Sequence, residues 1–397
     1  MLKLSHHILV IPSWYPPNGG SFFKEQSEEL KSRGHKVGVV YVETNSFRHF
    51  SIKSFINKYF QTKVCEENGV LVLRVFGWAI PKFEWLQYRL WTWLMIKTIE
   101  KYVVKFGKPD LMHVHSSIWG GLVAAKIKKK YQIPYVITEH RGRFGFITNM
   151  ARSQFKGWYK YPLKEALQNT DKLIPVSKRL INKIQSYSLG KKIPTIVIPN
   201  VVDINFFFPD QTIKHYKDFT FLIVAALTPV KGVDFLIPAF HNLLQYYPNA
   251  KLRVGGAGAQ SKSLEQMVVN FNIQESVTFL GNLTRNQVKM EMNASHFFVL
   301  SSLIEAQPVV TCEAMAMGLP VLTTTVVSND VVTKETGIQV KPESIEALEQ
   351  GLIKAIKTRS QFDSAKIREF AIQNFSYDVI FNQIESVYDK VLKEYES

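Results

Sequence analysis

Cysteine is scarce: Cys65 and Cys312 are the only two in 397 residues, far apart and in no C-x-x-C spacing. That excludes a disulfide framework and a paired-cysteine zinc site, and it points to reduced thiols in a reducing compartment. No apolar run approaches the roughly 20 residues that cross a bilayer. The opening MLKLSHHILVIPSWYPP has no small-residue cleavage site after its short apolar run, so a cytosolic chain is expected, not integral to a membrane. Acidic residues are sparse in one half only. Residues 1–200 carry 32 Lys and Arg against 12 Asp and Glu, whereas the remainder carries 17 against 21. A basic first half asks for an anionic partner, whether nucleic acid, a membrane surface or a phosphorylated substrate. Solvated helix faces, such as KIKKK at Lys126–Lys130, account for a share of it.

What is present is an alternation. HILVI, KVGVVYV, LMHVH, YVITEH, KLIPVS and TIVIP read as apolar strands between helical patterns. The first helical stretch, SFFKEQSEELKSRGH, is closed by Gly34 at a C′ position. The series restarts with FTFLIVAAL, KLRVGG, SVTFLG, HFFVLSS and PVLTTT. Two such series imply two doubly wound α/β domains with parallel sheets, of about 200 residues each. Turn formers at Pro199–Gln211 put the break there, giving domains 1–205 and 206–397 with a last helix at about 376–397.

The stretch SLIEAQPVVTCEAMAMGLPVL places Glu305 and Glu313 on either side of Pro308. Pro308 fits the first helical position and Gly318 the C′ position. A helix starting just past a strand's carboxyl end points unpaired amides into the crevice where open α/β sheets bind ligands. Here those amides belong to Val309, Val310 and Thr311, behind Gln307, a poor N-cap. A phosphate would satisfy them, and the two glutamates would accept sugar hydroxyls on either side of a diphosphate. An isolated E-x7-E would mean only a dipole-complementing residue and a helix residue.

SSLIEAQPVVTCEAMAMGLPVLTTT resembles the signature of the family-4 retaining glycosyltransferases of GT-B fold, S-x-x-E-x-x-(G/P)-x-x-x-x-E-A-M-A-x-G-x-P-V. VIPSWYPPNGGSFFKEQSEELKSRGHKVGVV, PDLMHVHSS, IPYVITEH, TDKLIPVSKRL, VIPNVVDINFFFP, LTPVKGVDFLIPAF, LRVGGAGAQ and VTFLGNLT resemble the family's other segments, in its order and along nearly the whole chain. The resemblance implies two Rossmann-like domains facing a cleft, an N-terminal acceptor domain and a C-terminal donor domain, with the last helix returning to the first. It implies a nucleoside diphosphate sugar donor of UDP or GDP type, no cofactor and no nucleic acid, and a glycan or lipid-linked acceptor. Its diphosphate would lie at the amides after Gln307 and Pro308, Val309 and Val310 included. Glu313 would bind ribose, Glu305 the donor sugar and Lys231 the diphosphate. Gly19 and Gly20 match the loop that lets backbone approach the ligand, and His140 a histidine facing the donor sugar. Ala226 stands where family members often carry arginine, and Val201 where glycine is common. Arg141 and Arg143 are candidates for a compensating or acceptor-binding role.

GT-A transferases usually display Asp-x-Asp for a divalent cation; no two aspartates here stand two positions apart, which favours a metal-independent reaction. GGAG at Gly255–Gly258 has Ser261 where a third dinucleotide-site glycine would stand and reads as a tight turn. His113 and His115 read as packed or hydrogen-bonded residues rather than ligands. Ile52, Phe55, Ile56, Tyr59 and Phe60 follow helical spacing beside Arg48, Lys53, Lys58 and Lys63. That face belongs to the core or lies on an anionic membrane, which would make the enzyme cytoplasmic and peripheral. FEWLQYRLWTWLMIK, Phe83–Lys97, reads as core.

Overall fold

The structure, a computed structural model, describes residues 5–16, 20–45, 61–78, 83–140 and 157–396. Gly19, Arg141, Arg143 and the aromatic face Ile52–Phe60 lie outside the described residues.

The first domain runs β1 (His7–Ile11), α1 (Ser21–Ser32), β2 (Lys36–Asn45), β3 (Thr62–Glu67), β4 (Val70–Trp78), α2 (Glu84–Phe106), β5 (Leu111–His115), α3 (Gly120–Tyr131), β6 (Tyr135–Glu139), α4 (Lys160–Asn169), β7 (Lys172–Pro175) and α5 (Ile181–Ser186). Its sheet has the order β3-β4-β2-β1-β5-β6-β7. All neighbours are parallel except β3, which pairs antiparallel with β4. β5 and β6 are buried at every position, as strands covered on both faces must be.

The second domain runs β8 (Thr220–Val224), α6 (Val233–Leu243), β9 (Lys251–Gly255), α7 (Ser261–Asn270), β10 (Val277–Gly281), α8 (Arg285–Ala294), β11 (Phe297–Leu300), α9 (Val309–Ala316), β12 (Val321–Thr324), β13 (Gly337–Val340), α10 (Ile345–Thr358), α11 (Ser364–Phe375) and α12 (Tyr377–Glu396). Its sheet, β10-β9-β8-β11-β12-β13, is wholly parallel. The chain thus forms two Rossmann-like domains. α12 leaves the second and lays Ile380, Phe381, Ile384, Val387, Tyr388 and Val391 against Ile8, Val10, Val37 and Val39 of the first.

Three elements differ from the sequence reading. TIVIP is no strand: Thr195 makes one bridge to Leu173, and Pro194 and Pro199 remove the donors a longer ladder needs. Lys63, read with a helical pattern, lies in β3, because Asn68 (φ 51°) and Gly69 (φ 79°) form the left-handed turn of a β-hairpin. α2 is core on one side only. Tyr88, Trp91, Leu94, Met95 and Ile99 are buried, while Phe83, just before the helix, and Trp85, Leu86 and Trp93 are exposed.

Candidate functional site

Strand order reverses direction between β8 and β11, the place where open α/β sheets form a ligand crevice. The loops after both strands meet there. Pro229–Lys231 forms a short 3-10 turn, followed by Gly232 at φ 62°. A Cβ on Gly232 would stand 2.3 Å from the Ser301 carbonyl, so only glycine lets the two loops pack this closely. Leu303 N–H donates to the Val230 carbonyl (2.8 Å) and Ser301 Oγ to the Lys231 carbonyl (2.9 Å). With its backbone held, Lys231 extends Nζ to Glu305 Oε1 at 2.6 Å, and Ser302 Oγ donates to the same oxygen at 2.8 Å.

α9 begins one residue later than the sequence implied. Pro308 is the N-cap (φ −75°, ψ 104°), not the first helical residue, and no side chain caps the helix. Thr311 N–H donates to the Pro308 carbonyl at 3.1 Å, which leaves the amides of Val309 and Val310 as the donors directed out of the first turn. Gly318 (φ 71°) closes the far end as expected. Gln307 serves as a strut between domains. Its Oε1 accepts from the Asn200 amide in the interdomain connection, while its Nε2 donates to Cys312 Sγ at 3.5 Å. Ser177 Oγ donates to the Ala306 carbonyl (2.7 Å), and the Lys178 amide to Asp330 Oδ2 (3.2 Å), adding to the same seam.

The first domain faces this site with the carboxyl ends of β1, β5 and β6. Gly20 (φ 78°) precedes α1, where a Cβ would meet the Trp14 carbonyl at 2.6 Å. His140, just past β6, places Nδ1 2.8 Å from Asn200 Oδ1 and Nε2 3.0 Å from His115 Nδ1. With the Asn200 oxygen assigned as acceptor, His140 carries its proton on Nδ1 and accepts from His115. Behind it, His113 bridges Thr138 Oγ1 (2.7 Å) and Tyr388 OH (2.6 Å). Burial drives the His113 pKa down to about 3 and that of His115 well below its ordinary value, so both are neutral. They are packed, hydrogen-bonded residues, as their spacing suggested.

Between the domains lies a cavity of about 490 Å³. Trp14, Phe22, Glu25 and His140 line it from the first domain, Asn200 to Asp203 from the connection, and Arg285, Gln307, Val309 and Glu313 from the second. Glu305 and Lys231 stand beside this lining rather than in it. Burial raises the Glu313 carboxyl to about 7 against the pull of Arg285, with Glu25 and Asp203 adding to the rise. Arg285 is itself held by Asp203 (3.2 Å) and lies over the Phe206 ring (4.4 Å). The sequence reading overlooked Arg285, Glu25, Asp203 and Asn200. Asn200 and Asp203 sit in the PNVVD stretch, which reads as the domain break and as a family-like segment with Val201 singled out but neither of these two residues, and Arg285 opens a capping-box helix that gives no functional signal. Val201 is not among the left-handed residues, so the connection does not need glycine there. Gly256 (φ 120°) packs so tightly that a Cβ would meet the Ala225 carbonyl at 1.9 Å, in keeping with the tight-turn reading of GGAG. Among the described residues no group of three or more His, Cys, Asp or Glu is placed to hold a metal ion.

Two families divide the chain between them. Glycosyltransferase Family 4 matches residues 19–206, and Glycosyl transferases group 1 matches residues 205–373. One component of the human phosphatidylinositol N-acetylglucosaminyltransferase is 27% identical over 98% of this chain and 77% of its own length. Among solved structures, sucrose-phosphate synthase from Thermosynechococcus elongatus superposes with a TM-score of 0.77 at 19% identity, covering 98% of this chain and all (100%) of that one. The Anabaena protein HepE in complex with UDP does so at 0.72 and 18% identity, over 97% and 100% of the two chains.

Proposed function

We propose, from the premise that this chain is a GT-B glycosyltransferase related to the group 1 and family 4 enzymes, that it transfers a sugar with retention of configuration from a UDP-sugar to a lipid-linked acceptor or growing glycan. The observation that carries the reading is the Lys231–Glu305 pair set beside the outward amides of Val309 and Val310 at the switch point of the second sheet. As the sugar–phosphate bond breaks, negative charge grows on the departing diphosphate. Lys231 and the two amides are donors fixed in advance for that charge, and they supply electrostatic stabilisation without a metal ion. Glu305 accepts from the donor sugar's hydroxyls, Glu313 from the ribose, and His140 forms the wall opposite the sugar.

UDP as the nucleotide is supported by the HepE complex, and a lipid acceptor by the name of the human relative. The enzyme is proposed to work at the cytoplasmic side of a membrane. Thermal-shift measurements with UDP, GDP and their sugars, followed by product analysis of the stabilising donor, test the proposal. Sugar transferred to an acceptor, or released by water with retention, supports it. An isomerised free sugar nucleotide would instead make the chain an epimerase, and donor binding without turnover of any kind would make it a silent partner of another enzyme.

A further inference from the structure

We infer that the outward face of α2 is a docking surface for an anionic lipid bilayer. The inward face of this helix is ordinary core, but the outward one is not an ordinary solvated face. Trp85 is 47% exposed, Leu86 40% and Trp93 48%, with Phe83 just ahead of the helix at 57%. A helix lying on a soluble core turns charged and polar residues to water. Here Trp85, Arg89, Trp93 and Lys97 recur every four residues, a line about 18 Å long at 1.5 Å per residue.

Arg89 stands between the two tryptophans and Lys97 one turn beyond Trp93, with Glu84 the one exposed acid at the start of the face. The Arg89 guanidinium lies 5.9 Å from the Trp85 ring centre. Glu100 is shared by Lys97 (3.0 Å) and Lys130 (2.7 Å), so that group of charges stays positive. Tryptophan beside Arg and Lys on one helix face suits the lipid headgroup level, where the indole enters and the cation meets phosphate. The excess of 32 basic over 12 acidic residues in 1–200 has the sign that an anionic surface attracts. Position supports the same occupant. α2 follows β4, so its aromatic end lies at the carboxyl edge of the sheet, and Tyr88 OH donates to the Ile118 carbonyl (2.8 Å) just past β5. Docking through this face sets the interdomain cleft beside the headgroups. The inference stands independently of which donor the cleft takes.

The test uses the full chain and vesicles of phosphatidylcholine with and without phosphatidylglycerol. Cosedimentation should rise with phosphatidylglycerol and fall in part at high salt. Arg89→Glu with Lys97→Glu should lower the partition coefficient by at least about 25-fold, at about fivefold per basic residue. Trp85→Ser with Trp93→Ser should remove the salt-resistant part. Circular dichroism and an unchanged melting temperature would show these variants folded, and UDP-sugar turnover is read separately, so loss of one property is not mistaken for loss of the other. Equal sedimentation with neutral and anionic vesicles at low salt would overturn the inference. So would a folded charge-reversal variant that binds like the parent, or a tryptophan variant that turns a dimer into a monomer by light scattering while vesicle binding stays intact.

Discussion

Glu313 is a carboxyl group whose charge at neutral pH is decided by its neighbours. Burial raises it to about 7, so near pH 7 it is divided between neutral and ionised forms. On the proposed reading ribose hydroxyls would donate to the ionised form, and binding would release a proton. Nucleotide affinity should rise about tenfold from pH 6 to pH 8 and flatten in Glu313→Gln, with proton release read by calorimetry in buffers of different ionisation enthalpy. The sign for stability is opposite. Between the unfolded value of 4.5 and the folded value of about 7 the native state holds the extra proton, so this group's contribution is full below 4.5 and is lost as pH rises through 7. If Lys231 meets the diphosphate as proposed, that charge-assisted contact would be worth about 1.5–3 kcal/mol, and Lys231→Ala should weaken UDP by roughly 10- to 100-fold while weakening uridine much less. Equal loss for both by calorimetry would remove Lys231 from the diphosphate site. Glu305→Gln keeps the shape but not the charge; transfer should fall by at least about 100-fold with the fold intact.

At the scale of elements, the site depends on two loops that only glycine lets touch. Gly232→Ala places a methyl against the Ser301 carbonyl in a left-handed backbone, and should cost about 1–3 kcal/mol in chemical denaturation. Because the same turn carries Lys231, UDP affinity should fall with it. The sequence showed α9, its Gly318 stop and both glutamates because cap chemistry and strand–helix alternation are local signals. The offset of Pro308 by one position is the ordinary uncertainty of a helix end. The β3–β4 hairpin was hidden although Asn68-Gly69 is a turn signal, because the helical spacing ahead of it ran on into Lys63. α2 misled in another way. Its apolar residues surround the helix, and periodicity cannot tell a helix covered on all sides from one that keeps tryptophans outside. Asn200 and Gln307 were visible as residues, but the bond between them joins positions 107 apart in the chain and has no local signature.

For the molecule as a whole, α12 is the piece that makes two domains into one object. Its Tyr388 hydroxyl reaches His113, which is buried beneath the strand end that leads to His140. Tyr388→Phe leaves a buried imidazole nitrogen without its partner and should cost about 1–3 kcal/mol by denaturant titration. Arg33, held by Glu29 of its own helix at 2.6 Å, adds a second fastening to Asp378 on α12 at 2.8 Å.

The same helix imposes an order on biosynthesis. The ribosome completes β7 about 200 residues before α12 begins, which at 5–20 residues per second is roughly 10–40 s. Throughout that interval the face of the first sheet carrying Ile8, Val10, Val37 and Val39 has Phe23 and Leu30 of α1 against it but lacks the cover that α12 supplies. A chain stalled before Tyr377 should be cut readily by protease in its first half and recruit a chaperone there, while the finished chain is not. Of the two domains, the one synthesised earlier is thus the one that finishes folding later.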